Sequence, residues 1–304
     1  MRMQKMFLKT FIICLILLSG CDEKRLNFSE KANNKIENNL KASAETVSMG
    51  IEIDDESKLN EDRKSFLITN KKFSPNIKIT NEFPHKNTYS IMFLLNYKQI
   101  PMSHNNDEKL VIKETIDARS AKEINIKVPV IETGTHEFLV LVVRESERHL
   151  SKKQYIPSEM VNLYLRGTLI VNGSNTLPNL NLVEKEVDST NSMPEGTVFI
   201  TEPQNVDPLS FVELDYGNAK LNLNYYNDKP KDIYVGVFQD NKQIDINNSF
   251  LKLSESGTLQ LPFNINLDTI NHELMGIIVE NPFAATGSEQ GDVIFTNKIT
   301  IKTE

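Results

Sequence analysis

Residues 124 to 128 read Ile-Asn-Ile-Lys-Val, apolar and polar by turns. The alternation returns at Leu259, Leu261, Phe263 and Ile265, with Gln260, Pro262 and Asn264 between them. Successive side chains of a strand point to opposite faces of its sheet, so a period of two predicts strands with one buried and one wet face. Ile77 and Ile79 carry the same pattern, as do Leu221 and Leu223. So do Leu163, Leu165, Leu169 and Val171, beside Val293, Phe295, Ile299 and Ile301. Two runs, "FLVLVV" and "IYVGVF", lack the polar member and predict strands covered on both faces. No run in this part of the chain has a helical period.

These patterns occur twice. "YSIMFLLNYKQI" from Tyr89 matches "IYVGVFQDNKQI" from Ile233 at an offset of 144. "TGTHEFLVLVV" matches "TINHELMGIIV", which aligns His136-Glu137 with His272-Glu273. "PSEMVNLYLRGTLIV" from Pro157 matches "GSEQGDVIFTNKITI" from Gly287 at an offset of 130. Ser65 onward parallels Ser210 onward, and Gly50 to Ile53 parallels Gly196 to Ile200. Several matches in one order define two homologous domains, at 48–173 and 194–304, each expected to fold independently. Residues 174–193 between them have linker composition. "NYK" and "DNK" fit hairpin turns before the shared Gln-Ile.

Six or seven short strands in roughly 110 residues predict an all-β fold, with two tandem antiparallel β-sandwiches. With "TGTHEFLVLVV" as a late central strand, each unit resembles immunoglobulin-like and fibronectin type III-like modules. It is particularly similar to the cell-adhesion-related repeats of bacterial surface proteins. The Cys and Trp hallmarks of antibody domains are missing, and His136 and His272 stand where such modules usually place a tyrosine.

The start of the chain departs from this pattern. Residues 1–10 carry Arg2, Lys5 and Lys9 without an acid, and 11–18 read "FIICLILL". A permanent membrane helix takes about 20 apolar residues, and a cleaved export signal takes fewer. The step "LSGC", Leu18 to Cys21, resembles the lipobox of bacterial lipoproteins. That resemblance implies a signal peptide over 1–20 and a diacylglycerol on the Cys21 thiol, hence an extracytoplasmic protein anchored to the cell membrane. Two or more acyl chains hold stably where one does not. Residues 21–47, rich in Asn, Lys and Glu, have too few apolar side chains to fold alone and predict a flexible tether.

Composition narrows the function. The net charge of −7 becomes −10 once Arg2, Lys5 and Lys9 are removed, which argues against nucleic acid as a partner. Trp is absent. The lipobox resemblance implies that Cys14 leaves with the signal and Cys21 is acylated, so that of the two cysteines no thiol would be left for catalysis or a disulfide.

The recurring His-Glu pair is the leading candidate for chemistry. Adjacent strand residues face opposite ways, so His136 and Glu137, or His272 and Glu273, cannot jointly hold one ion. "HEFLV" and "HELMG" also lack the second His of a zinc-protease motif. Ser158-Glu159 and Ser288-Glu289 read as turn caps, and "GSEQG" has Glu where a nucleophilic Ser would stand. The acidic runs Asp54 to Glu56 and Asn105 to Glu108 lack the spacing of a calcium loop. The loop from Arg144 to Met160 carries mixed charge and reads as a contact surface.

We therefore expect no catalytic residue, no metal and no cofactor. His136, Glu137, His272 and Glu273 remain the binding candidates. The expected function is non-enzymatic binding or scaffolding of a protein or cell-wall component by a lipid-tethered protein. The alternatives are a substrate-capture lipoprotein of a transport system and an enzyme with an unrecognised site.

Overall fold

The computed structural model describes residues 49–55, 65–69, 71–129, 131–190, 193–284 and 291–304. The expected signal peptide, the whole tether with Cys21, and Ser288-Glu289 lie outside the described residues. Among the described residues the fold is all-β, apart from one 3-10 turn at Ser158–Met160. No described helix is long and apolar enough to cross a membrane.

The first half opens with β1 (Met49–Asp54), β2 (Ser65–Ile68), β3 (Asn76–Asn81) and β4 (Asn87–Leu95). Three short strands follow, β5 (Lys98–Ile100), β6 (Met102–His104) and β7 (Asp107–Lys109). It ends with β8 (Ile112–Ile116), β9 (Ser120–Asn125), β10 (Gly134–Arg144) and β11 (Asn162–Val171). One sheet has the order β1-β3-β9, and the facing one β2-β11-β10-β4-β5, with β8 also on β4. Neighbours pair antiparallel except β2, which runs parallel to β11. This is the strand arrangement of an immunoglobulin-like sandwich.

The alternation seen in the sequence fills the space between the sheets. Ile77, Ile79, Ile124 and Ile126 meet Ile91, Phe93, Phe138, Val140 and Leu169 in one core. Phe93 and Phe138 stack with ring centroids 5.5 Å apart, while Phe73 meets Phe138 at a tilt, 5.6 Å apart. Burying each such side chain contributes about 1.5–3 kcal/mol.

The second half begins with β12 (Val183–Lys185), β13 (Val198–Thr201), β14 (Phe211–Leu214), β15 (Gly217–Asn227) and β16 (Lys231–Gln239). It continues with β17 (Lys242–Ile244), β18 (Phe250–Leu253), β19 (Gly257–Leu267), β20 (Asn271–Glu280), β21 (Val293–Phe295) and β22 (Ile299–Thr303). Its sheets are β13-β15-β19 and β12-β18-β16-β20-β22-β14, with β17 on β16 and β21 on β20. Leu221, Leu223, Val235, Leu261, Phe263, Ile278 and Ile301 belong to its core.

Three details depart from the sequence reading. Residues 174–193 are more than a linker: β12 pairs in parallel with β18, and Asp188 bridges Thr258. The last strands match two residues further on than the constant offset implied, since Leu169 faces His136 and Ile301 faces His272. A shift of two preserves both faces of a strand, so periodicity is blind to it. The turn at Ser158–Met160 has no side-chain cap, and Pro157 stands at its start.

Candidate binding site at the junction of the repeats

The two strands read as covered on both faces are covered by each other's sandwich. On β10, Phe138, Val140 and Val142 face their own core, while Leu139, Leu141 and Val143 face the second half. There they join Met92, Leu94 and Tyr97 against Tyr234, Phe238, Met275, Ile277, Val279 and Val293. The halves thus share a third apolar core, and the expectation of independent folding omits it.

Glu137 and Glu273 stand on this shared face, and His136 and His272 on the opposite one. The alternation separates each pair as the strand period requires. Each His instead ties strand to turn. In the first half Asn96 Nδ2 donates to His136 Nδ1 at 2.8 Å, and His136 Nε2–H donates to the Glu132 carbonyl at 3.0 Å. In the second, His272 Nδ1–H donates to Asp240 Oδ2 at 2.7 Å, and Nε2 accepts from the Thr269 N–H at 3.3 Å. Asp240 in place of Asn96 sets an acceptor-only carboxylate at Nδ1 and so favours the proton there in His272, where Gln239 Nε2 also lies 3.1 Å away. The same turn residues accept from the backbone N–H of Glu137, at 3.1 Å, and of Glu273, at 2.9 Å. Both ring nitrogens of each His are therefore engaged.

The turns themselves have both central residues at positive φ: Asn96 at 49° and Tyr97 at 68°, Asp240 at 54° and Asn241 at 63°. That is the hairpin geometry whose twist suits the flanking strands. A tyrosine is unusual there. Tyr97 is buried, and its ring meets Tyr234 with centroids 4.5 Å apart and Phe283 edge-on at 5.3 Å.

Each Glu has a cation beside it: Arg166 on the neighbouring strand β11, and Lys298 in the segment between β21 and β22. Glu137 pairs with Arg166, both buried, and Glu137 Oε2 accepts from the Phe283 N–H at 2.5 Å. Arg166 also donates to the carbonyls of Glu280, Asn281 and Gly291 in the second half, at 2.9, 2.7 and 2.7 Å. In the mirror arrangement Glu273 lies 3.5 Å from Lys298, whose Nζ donates to the Glu145 carbonyl of the first half at 2.7 Å. Glu273 also accepts from Thr300 Oγ1 at 2.8 Å and from His149 at 2.9 Å. Burial pushes the Glu273 carboxyl above its ordinary range and the Lys298 amine below its own. Both shifts favour the neutral forms, as expected for a pair removed from water.

The loop from Arg144 to Met160, read as a contact surface, makes its contacts within the chain. His149 reaches Glu273, Lys152 pairs with Glu213, and the Ile156 carbonyl accepts from the Lys298 N–H. A cleft of about 240 Å³ opens beside this junction, lined by His136, Glu137, Thr168, Leu177 and Phe283 among others. Among the described residues, no three His, Cys, Asp or Glu side chains gather closely enough to hold a metal ion. Sequence reasoning missed Asn96, Tyr97, Arg166, Asp240 and Lys298. The available signal was the doubly apolar strand, whose second face had to meet something.

No family model matches the chain, and no curated protein is similar to it in sequence. Solved structures do match. Fibronectin(III)-like modules of Clostridium thermocellum CbhA are 12% identical, with 84% of this chain and 94% of theirs covered, at a TM-score of 0.23. The Salmonella enterica SafA pilin in complex with the SafB chaperone is 9% identical, with 83% and 97% covered, at 0.26. Red sea bream transglutaminase is 9% identical at 0.24; 92% of this chain is covered, but only 34% of that enzyme's length. At such scores these likenesses carry no argument about activity or partner, and the fold class rests on the sheet topology above.

Proposed function

We propose that the protein is a lipid-anchored extracytoplasmic protein, without enzymatic activity, that binds or scaffolds a protein or cell-wall component. The carrying observation is how the shared polar residues are used. His136 and His272 fasten turns, while Glu137 through Phe283 and Glu273 through His149 lock one sandwich to the other. Catalysis needs an activated group aimed at open space. These groups are aimed at partners within the chain. Two sandwiches joined across an apolar core make a stiff body that holds its outer surfaces in fixed relation, as a binding scaffold requires. The lipobox at Leu18 to Cys21 supports the anchored location.

The test has two arms. Cys21→Ala should move the protein from the membrane to the soluble fraction; unchanged membrane retention would refute the anchor. Cross-linking on intact cells should capture a protein or wall partner with and without chelator. A hydrolytic activity lost on His136→Ala or His272→Ala at unaltered stability would overturn the binding reading.

A further inference from the structure

The outer face of the β13-β15-β19 sheet has an unusual composition. Strand pairing sets Asn218 beside Asn266, Lys220 beside Asn264, Asn222 beside Pro262, Asn224 beside Gln260 and Tyr226 beside Thr258. Leu221, Leu223, Leu261, Phe263 and Ile265 point the other way, into the core. The face therefore carries the carboxamides of Asn218, Asn222, Asn224, Gln260, Asn264 and Asn266, and Lys220 is its one charged side chain among these pairs. Asn222 and Asn224 are buried beside Thr201 and Phe199 of β13, so the amides open to a ligand are those of Asn218, Gln260, Asn264 and Asn266, which are exposed. Asn224 is held by Thr201 Oγ1 at 3.2 Å and touches Gln260 at 3.4 Å.

Sheet formation does not select this set, because Asn is depleted in strands. The equivalent face of the first sandwich is ordinary by comparison. There Glu52, Lys78 and Glu123 lie side by side, with Lys78 3.5 Å from Glu52.

We propose that the carboxamide face of the second sandwich docks a neutral glycan strand of the cell wall; this rests on the binding function proposed above. A carboxamide offers one acceptor and two donors without charge, which matches hydroxyl and acetamido groups. An anionic polymer or nucleic acid would call for clustered Lys and Arg. A protein interface core would call for aromatic, Met and Arg side chains. Pro262 and Tyr226 supply small apolar surfaces on which the C–H face of a sugar ring can rest. The strands hold the amides in fixed rows, so little order has to be gained on binding.

The experiment uses the full chain in detergent, sedimented with insoluble wall glycan stripped of its anionic polymers. The native protein should sediment with the glycan, and salt should change this little, because no ion pair carries the contact. Asn218→Ala, Asn264→Ala and Asn266→Ala combined should weaken retention by about tenfold or more. Gln260→Ala, read alone, guards against weakening of the sheet by three changes. Lys78→Ala, on the first sandwich, should bind as the native protein does. Equal retention of the triple variant at native melting temperature would overturn the inference, as would native protein left in the supernatant. If the native protein ignores glycan but still cross-links a partner on cells, this inference fails and the binding function stands.

Discussion

Gln99 and Gln243 hold each other reciprocally: the Gln99 N–H donates to Gln243 Oε1 at 2.6 Å, and the Gln243 N–H donates to Gln99 Oε1 at 2.7 Å. They are equivalent positions of the two repeats, so a local two-fold relation passes between them. The same relation exchanges Glu137 with Glu273 and Arg166 with Lys298. The junction is built like the isologous interface of a homodimer, within one chain.

Replacing either glutamine leaves a backbone N–H of its partner unpaired. Gln99→Ala and Gln243→Ala should each cost about 1 kcal/mol. In a double-mutant cycle by urea denaturation, the pair should show a coupling of at least about 0.5 kcal/mol. Strict additivity would mean the reciprocal bonds contribute nothing.

Glu137→Ala strands the buried Arg166 guanidinium without its carboxylate. The expected loss is about 3–5 kcal/mol. Glu273→Gln should cost far less, because burial already disfavours its charge. A Glu whose folded-state pKa is raised contributes stability below its unfolded pKa, and loses it as pH rises through the folded one. Glu273→Gln should therefore flatten that part of the stability profile when denaturation is repeated from about pH 4 upward.

The two imidazoles should report opposite tautomers in nitrogen NMR, with the proton on Nε2 in His136 and on Nδ1 in His272. Asp240→Asn should switch His272 to the pattern of His136. Finding the same tautomer in both native residues would contradict the turn geometry.

Alkali should act through buried phenols. Burial raises Tyr89 from 10.0 to about 12, and raises Tyr97, Tyr225 and Tyr234 as well. The folded state then holds protons that the unfolded state has released, so stability falls as pH climbs from about 10 towards 12. Tyrosinate absorbance should rise in two stages, the later one coinciding with loss of β-sheet circular dichroism. A single early stage would show that these phenols are open to water.

Residues 48–173 and 194–304 produced separately should each expose one side of the shared core. We expect lower melting temperatures than in the whole chain, self-association, and recovery when the two are mixed. Two monomeric halves as stable as the whole would show that the third core adds little.

Much of this fold was legible in the sequence. Ile124, Ile126 and Val128 announced a half-buried strand, and the matched segments announced a repeat. "FLVLVV" even announced a second covered face, though not what covers it. Arg166 and Lys298 were illegible because the carbonyls they reach, of Glu280, Asn281 and Gly291 and of Glu145, belong to the other half of the chain and meet them only once the two sandwiches have docked. Nor does composition show a pairing such as β12 with β18, since three residues within a polar stretch carry too short a pattern to read.

The connection between the halves is pinned at both ends. Ser174 and Thr176 accept from Thr135 on the first sandwich, and Val183–Lys185 is stitched into the second. Only a few residues remain between, a reach of about 20 Å. A self-complementary face invites exchange between molecules, but so short a leash raises the local concentration of the attached partner far above that of any neighbour. The molecule is thereby its own dimer, and dilution leaves it nothing to lose.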